Sequence, residues 1–207
     1  MQIDFLRFTP DKEFLKCLGF ENAVVFAENG DLEGYENHSY VKGEIIRPEN
    51  PEDLRKKLRK VSRKSVVGVE SNSISINREA VTRRRVDVIL DSVGRRIDYV
   101  TVKLAAEKDV VIEVCLSKFL LTKGARRMRL LRETEELLRL IKKFDTPFVI
   151  TSGASNIYEI RSARQLRDFF SFLGAEIKKA EKHAEILFRK FADANFIMNG
   201  LEIEERP

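Results

Sequence analysis

The sequence predicts an α/β protein, a single-domain (β/α) TIM-like barrel over residues 1–207, with distortion allowed. Three observations carry this. Short, continuous, β-branched apolar runs recur along the chain, as strands covered on both faces require. Four of them start near residues 44, 65, 86 and 110, which leaves about 20 residues for each strand with its helix. No Gly-x-Gly-x-x-Gly follows the first strand, so the open, doubly wound alternative lacks its dinucleotide signature. Parallel strands with right-handed crossovers then favour closure of some seven or eight βα units.

Strands are expected at 3–6, 23–26, 44–46, 65–69, 86–90, 110–115 and 148–151. Residues 27–41, AENGDLEGYENHSYV, are polar and turn-rich and read as a loop insertion. In Asn50-Pro51-Glu52-Asp53-Leu54, Asn50 can cap free amides, and Pro51 sits where its missing N–H costs nothing. Leu54, Leu58 and Val61 then form one apolar stripe. A long surface helix is expected over 125–144, where Leu130, Leu137, Ile141 and Phe144 keep helical spacing between charged residues. Ser162 can cap a helix that buries Leu166, Phe169, Phe170 and Leu173 and ends at Gly174; Ile177, Ala180, Ala184, Leu187 and Phe191 line a final one.

With 207 residues, 43% of them hydrophobic, there is material for a sizeable core. No apolar run reaches the length of a membrane span, and the start MQIDFLRFTP lacks a signal-peptide layout, so a soluble, cytoplasmic protein is expected. Cys17 and Cys115 are isolated and read as two small core residues without a disulfide.

Charge is unevenly spread. Lys and Arg number 5 against 10 acidic residues in 1–50, 21 against 10 in 51–132, and 12 against 13 thereafter. Clusters at 55–64, 83–85, 95–96 and 126–132 have the footprint of a polyanion binder, the alternative for each being a solvated helix face.

In a barrel, function gathers on the loops after the strands. These loops carry Arg78, Arg95, Arg96, Lys118, Arg161 and Arg164 beside amides and hydroxyls. The turn Thr151-Ser152-Gly153-Ala154-Ser155 suits either a phosphate or an ordinary tight bend. Hydrolytic chemistry is poorly served. His38 and His183 have no ligand-spaced partners and read as surface residues, and no nucleophile elbow is present. Asp4, Asp87 and Asp98 are possible acids or bases, but 33 carboxylates make any pair arbitrary. No catalytic residue, metal ligand or protein-bound cofactor is therefore assigned.

Specific strings add a resemblance. Val69-Glu70-Ser71-Asn72, Val86-Asp87-Val88-Ile89, and above all Phe148-Val149-Ile150-Thr151-Ser152-Gly153-Ala154 followed by Glu159-Ile160-Arg161-Ser162 and Leu166 resemble the archaeal ribonuclease P protein component 3 family, counterpart of the thirty-kilodalton eukaryotic subunit. The closing Leu173-Gly174-Ala175-Glu176-Ile177 with Ala180 follows the family's order, and the likeness spans most of residues 65–190.

The resemblance implies a barrel akin to the polymerase-and-histidinol-phosphatase (PHP) group without that group's metal-binding histidines. It implies a subunit of the ribonucleoprotein that removes 5′ leaders from precursor tRNA, in which the RNA subunit and its Mg²⁺ perform the hydrolysis. It also implies pairing with ribonuclease P protein component 2. On this reading Arg78, Arg95, Arg96, Lys118, Arg161 and Arg164 contact RNA phosphates, with structural ion pairing as the alternative, and Arg78 and Arg161 lie on the aligned motifs. The segments 55–64 and 126–132 are further RNA contacts. Two other functions stay open: a metal-dependent phosphoesterase of the same barrel group, and an RNA-binding scaffold outside tRNA maturation.

Overall fold

A computed structural model describes residues 2–26, 39–193, 195–198 and 201–202. Seven parallel strands lie side by side in chain order: β1 (Ile3–Leu6), β2 (Asn22–Val25), β3 (Tyr40–Ile46), β4 (Val66–Val69), β5 (Val88–Ile89), β6 (Val111–Cys115) and β7 (Phe148–Thr151). Consecutive order without reversal is the topology of a barrel; a doubly wound sheet would double back. Among the described residues, helices follow six of the strands: α1 (Lys12–Cys17), α2 (Pro51–Leu58), α3 (Ile74–Val81), α4 (Tyr99–Lys108), α5 (Ser117–Leu120), α6 (Gly124–Phe144) and α7 (Ala163–Phe172). The chain continues into α8 (Ile177–Ala192) and an antiparallel hairpin, β8 (Phe196–Met198) with β9 (Leu201–Glu202), which the apolar pattern of the sequence does not announce.

Residues alternate in and out along each strand. The inward set, Ile3, Phe5, Val24, Phe26, Val66, Val88, Leu90, Val111 and Val149, forms one buried cluster. The outward set, including Leu6, Val25, Val67, Ile89, Ile112, Val114 and Ile150, packs beneath the helices. Gly68 makes the inner packing possible, since a Cβ there would lie 2.6 Å from Leu90 Cδ1 and 2.9 Å from Phe26 Cε1. Ala184, Leu187 and Phe188 of α8 join the inner cluster, so α8 closes the end of the barrel where the strands begin. The other end, where the strands finish, is left for the loops.

The seam between β1 and β7 is bridged by a side chain. Buried Asp4 accepts a hydrogen bond from Ser152 N at 2.7 Å and meets Ser152 Oγ at 2.5 Å, while Arg7 N donates to Ala154 O at 2.8 Å. The turn at Thr151–Ser155 therefore spends its first amide and hydroxyl on closing the barrel, which argues against a phosphate cradle there. Gly153 is required in it: φ is +58° and a Cβ would meet Cys115 Cβ at 2.6 Å.

Several expectations need correction. Of the expected insertion, residues 27–38 lie outside the described residues, as does His38; Tyr40 and Val41 belong to β3. The helix that starts at Pro51 stops at Leu58, short of Val61 and Lys64, and the remaining basic residues lie in the turns before β4. Cys17 is exposed at the end of α1 and only Cys115 is core. His183 is partly buried, its Nδ1 3.2 Å from Phe148 N, and burial pushes its pKa down.

Candidate nucleic-acid interface

The barrel mouth at the carboxyl ends of the strands is built around two buried carboxylates. Glu113, inward on β6 and fully buried, accepts hydrogen bonds from Arg7 NH2 at 2.5 Å, Asp91 N at 2.7 Å and Thr151 Oγ1 at 2.8 Å. Arg7 also stacks over Phe26, 5.0 Å from the ring centroid. Asp91, just beyond β5, accepts from Cys115 N at 2.9 Å and pairs with Arg95 NH2 at 3.0 Å and Lys118 Nζ at 2.7 Å. Burial alone would push the Asp91 carboxyl up, but Arg95 and Lys118 together hold it below the ordinary carboxylate range. The Cys115 thiol, buried beside both carboxylates, is pushed up to about 12 and is an inert thiol at neutral pH.

This mouth does not fit a divalent metal. Each carboxylate is already neutralised by a guanidinium or ammonium group, and no cluster of three His, Cys, Asp or Glu residues able to hold an ion occurs among the described residues. The three candidate acids are structural as well. Asp4 closes the seam; Asp87 accepts from Val67 N at 3.0 Å and pairs with Lys190 at 2.6 Å; Asp98 caps α4 through Thr101 N at 3.0 Å.

The six candidate RNA contacts separate into two kinds. Arg95 and Lys118 have side chains only 4% and 5% exposed and are turned inward onto Asp91. Arg78 on α3 is half exposed but paired with Asp98, whose pKa it holds down at about 2. Arg96 and Arg164 are exposed, and Arg161 is partly buried without a carboxylate partner among the described residues. Arg96 is exposed, its loop held by buried Asn77, whose Nδ2 donates to Arg96 O at 2.7 Å and to Ser71 O at 3.1 Å. Arg161 NH1 rests on the carbonyls of Tyr158 and Ile160, at 2.8 and 2.7 Å, and not on Glu159, which bonds Ser155 N and Asn156. Arg164 is 86% exposed and only loosely paired with Asp168 at 3.8 Å.

At the same end of the barrel is the start of α6, where Lys123, Arg126, Arg127, Arg129 and Arg132 are all exposed and the first turn holds no acidic residue. Cations at a helix N-terminus oppose its dipole by about 0.3–1 kcal/mol each, an arrangement relieved by an anion. Apolar residues stand among the arginines: Leu121, Met128, Ile157 and Tyr158, the last 84% exposed. A second basic group, Arg59, Lys60, Arg63, Lys64 and Arg84, lies before β4 and β5, at the opposite end of the barrel.

Sequence reasoning missed Arg7 and Glu113. The available signal was an acid alone in the apolar strand Val111-Ile112-Glu113-Val114-Cys115, which a parallel, doubly covered strand tolerates only with a buried partner.

Fold and face together define a class: a βα barrel whose mouth is sealed by internal ion pairs and whose rim is lined with outward arginines, suited to holding a polyanion. Comparisons with known proteins narrow this. The profile of the family described as RNase P subunit p30 matches residues 33–191. Ribonuclease P protein component 3 of Archaeoglobus fulgidus is 48% identical over 202 residues, covering 98% of this chain and 96% of that protein. The Methanocaldococcus jannaschii protein of the same description is 32% identical, covering 96% and 87%. A chain in the structure of an archaeal ribonuclease P with mature tRNA superimposes with a TM-score of 0.82 at 29% identity, covering 99% of both chains. The chain belongs to the RNase P subunit p30 family; it is a protein subunit of ribonuclease P, the endoribonuclease complex that processes tRNA 5′ ends.

Proposed function

We propose that the rim at the carboxyl ends of the strands grips the backbone of the ribonuclease P RNA, and that the complex acts on precursor tRNA with Mg²⁺ held on the RNA subunit. One observation carries this reading: exposed Arg96 and Arg164, the first two turns of α6 and partly buried Arg161 bring cations to one end of the barrel, several without a carboxylate partner among the described residues. Guanidinium groups suit such contacts because their planar fork grips phosphate oxygens in two places. The exposed Leu121, Met128, Ile157 and Tyr158 support pairing with protein component 2 on the same rim. No helix among the described residues is long and apolar enough to cross a membrane, and a cytoplasmic setting is part of this proposal.

The test is the salt dependence of binding to ribonuclease P RNA. Removing one cation that neutralises a phosphate lowers the slope of log K against log salt by about 0.7–0.9. Arg161→Ala and Arg164→Ala each lower the slope by about that amount, and a slope unchanged in both removes these residues from the interface.

A further inference from the structure

We propose that the cleft between α6 and the loop after β5 is a binding site for a phosphomonoester, the terminal phosphate of a nucleotide or of an RNA strand. The cleft has a volume of about 410 Å³ and is lined by residues of α6, the β5 loop and α5. Its deep end is charged. Lys118 and Arg95, both buried, converge on the single carboxylate of Asp91, and the neighbouring carboxylate of Glu113 is taken by Arg7. One positive charge is thus left over in a buried place, where an unbalanced charge is costly and an incoming anion is stabilised.

Two further groups there lack a role in the fold. The hydroxyls of Ser92 and Thr134 are buried without a hydrogen-bond partner among the described residues, and both residues line the cleft. Thr134 is only 1% exposed. Buried hydroxyls left unbonded are uncommon, and each is a donor available to a phosphate oxygen. Lys118 has three donors, one of which reaches Asp91. Arg96 also lines the cleft and is exposed.

The remaining walls select the kind of anion. Ile74, Ile97, Leu137 and Leu140 offer an apolar surface for a flat body attached to the phosphate, and the volume falls in the range of small-molecule sites. Glu133 and Glu136, exposed on α6, stand at the mouth. They repel a backbone with phosphates on both sides, whereas a terminal phosphate brings its charge past them once. Of the rim cations only Arg96 also borders the cleft, and the Ser92 and Thr134 substitutions leave every rim cation in place, so failure of this proposal and failure of the RNA-binding reading are read by different measurements.

The experiment is thermal melting of the full chain at constant ionic strength. The additions are inorganic phosphate against chloride, adenosine monophosphate against adenosine, and a short single-stranded RNA with and without a 5′-phosphate. Phosphate and the monophosphate raise the melting temperature saturably, as a ligand of the native state does, and adenosine and chloride do not. Ser92→Ala combined with Thr134→Val weakens phosphate binding about tenfold or more, since hydrogen bonds to a charged group are lost. The same variant keeps or raises the melting temperature without ligand, because the hydroxyls it removes were unbonded. A 5′-phosphate-dependent effect of the RNA identifies a strand end as the source; an effect confined to the mononucleotide identifies the free nucleotide. No saturable shift, equal shifts with adenosine, or affinity unchanged in the double variant would overturn the proposal.

Discussion

At the scale of single residues, the barrel mouth depends on Glu113. Its carboxylate meets three donors in a place with no solvent, and the Arg7 guanidinium across the barrel has only 11% of its side chain exposed. A buried pair of this kind adds little over a well-packed apolar pair, but breaking one side of it strands a charge. Glu113→Gln therefore lowers stability by about 3–5 kcal/mol in chemical denaturation, and adding Arg7→Met to it restores most of the loss. An additive double variant would show that the pair is not what holds the two groups in place.

Elements are legible in the sequence to uneven degrees, and the pattern has a physical basis. Helix starts are legible because caps are local: Asn50 Oδ1 accepts from Asp53 N at 2.9 Å, as its position before Pro51 implies. Ser162 goes further and forms a reciprocal capping box with Gln165. Ser162→Ala costs about 1 kcal/mol, measured as a shift in denaturation midpoint with unchanged slope. Strand cores are also legible, since Phe148–Thr151 and Ile3–Leu6 form where the apolar runs lie. Strand ends are not. β5 shrinks to Val88–Ile89 because Asp87 turns its carboxylate to Val67 N and Lys190, and Asp91 turns its own to Arg95 and Lys118.

For the molecule as a whole, closure rests on the Asp4 seam. Burial pushes the Asp4 carboxyl up to about 7 in spite of the hydrogen bonds from Ser152. Between its ordinary value of 3.8 and about 7, the native state holds a proton that the unfolded chain has released. The stability from this group is present below about pH 4 and lost as pH rises through about 7. Asp4→Asn keeps an acceptor for Ser152 N and removes the ionisation, so its melting temperature gains on that of the parent between about pH 4 and pH 7. A constant difference across that range would show that Asp4 does not titrate there. The whole barrel also separates the basic clusters: Arg96, Arg161 and α6 lie at one end, and Arg59 to Lys64 at the other. A string of charges in sequence becomes two faces because helices run opposite to the strands they follow.

The strand runs, their spacing of about 20 residues and the caps determined the fold class from the sequence alone, and the excess of cations in the middle of the chain is visible there too. Each of these depends on residues close together in the chain, whose periodicity and charge are visible without coordinates. Tertiary structure decided which cations remain available. Arg95 and Arg96 are neighbours in sequence, yet one is buried against Asp91 and the other faces solvent, and Lys118 lies far from Asp91 in sequence but 2.7 Å away in space. Charge pairing across a closed barrel is set by three-dimensional proximity and burial, and neither is written in the local pattern of residues.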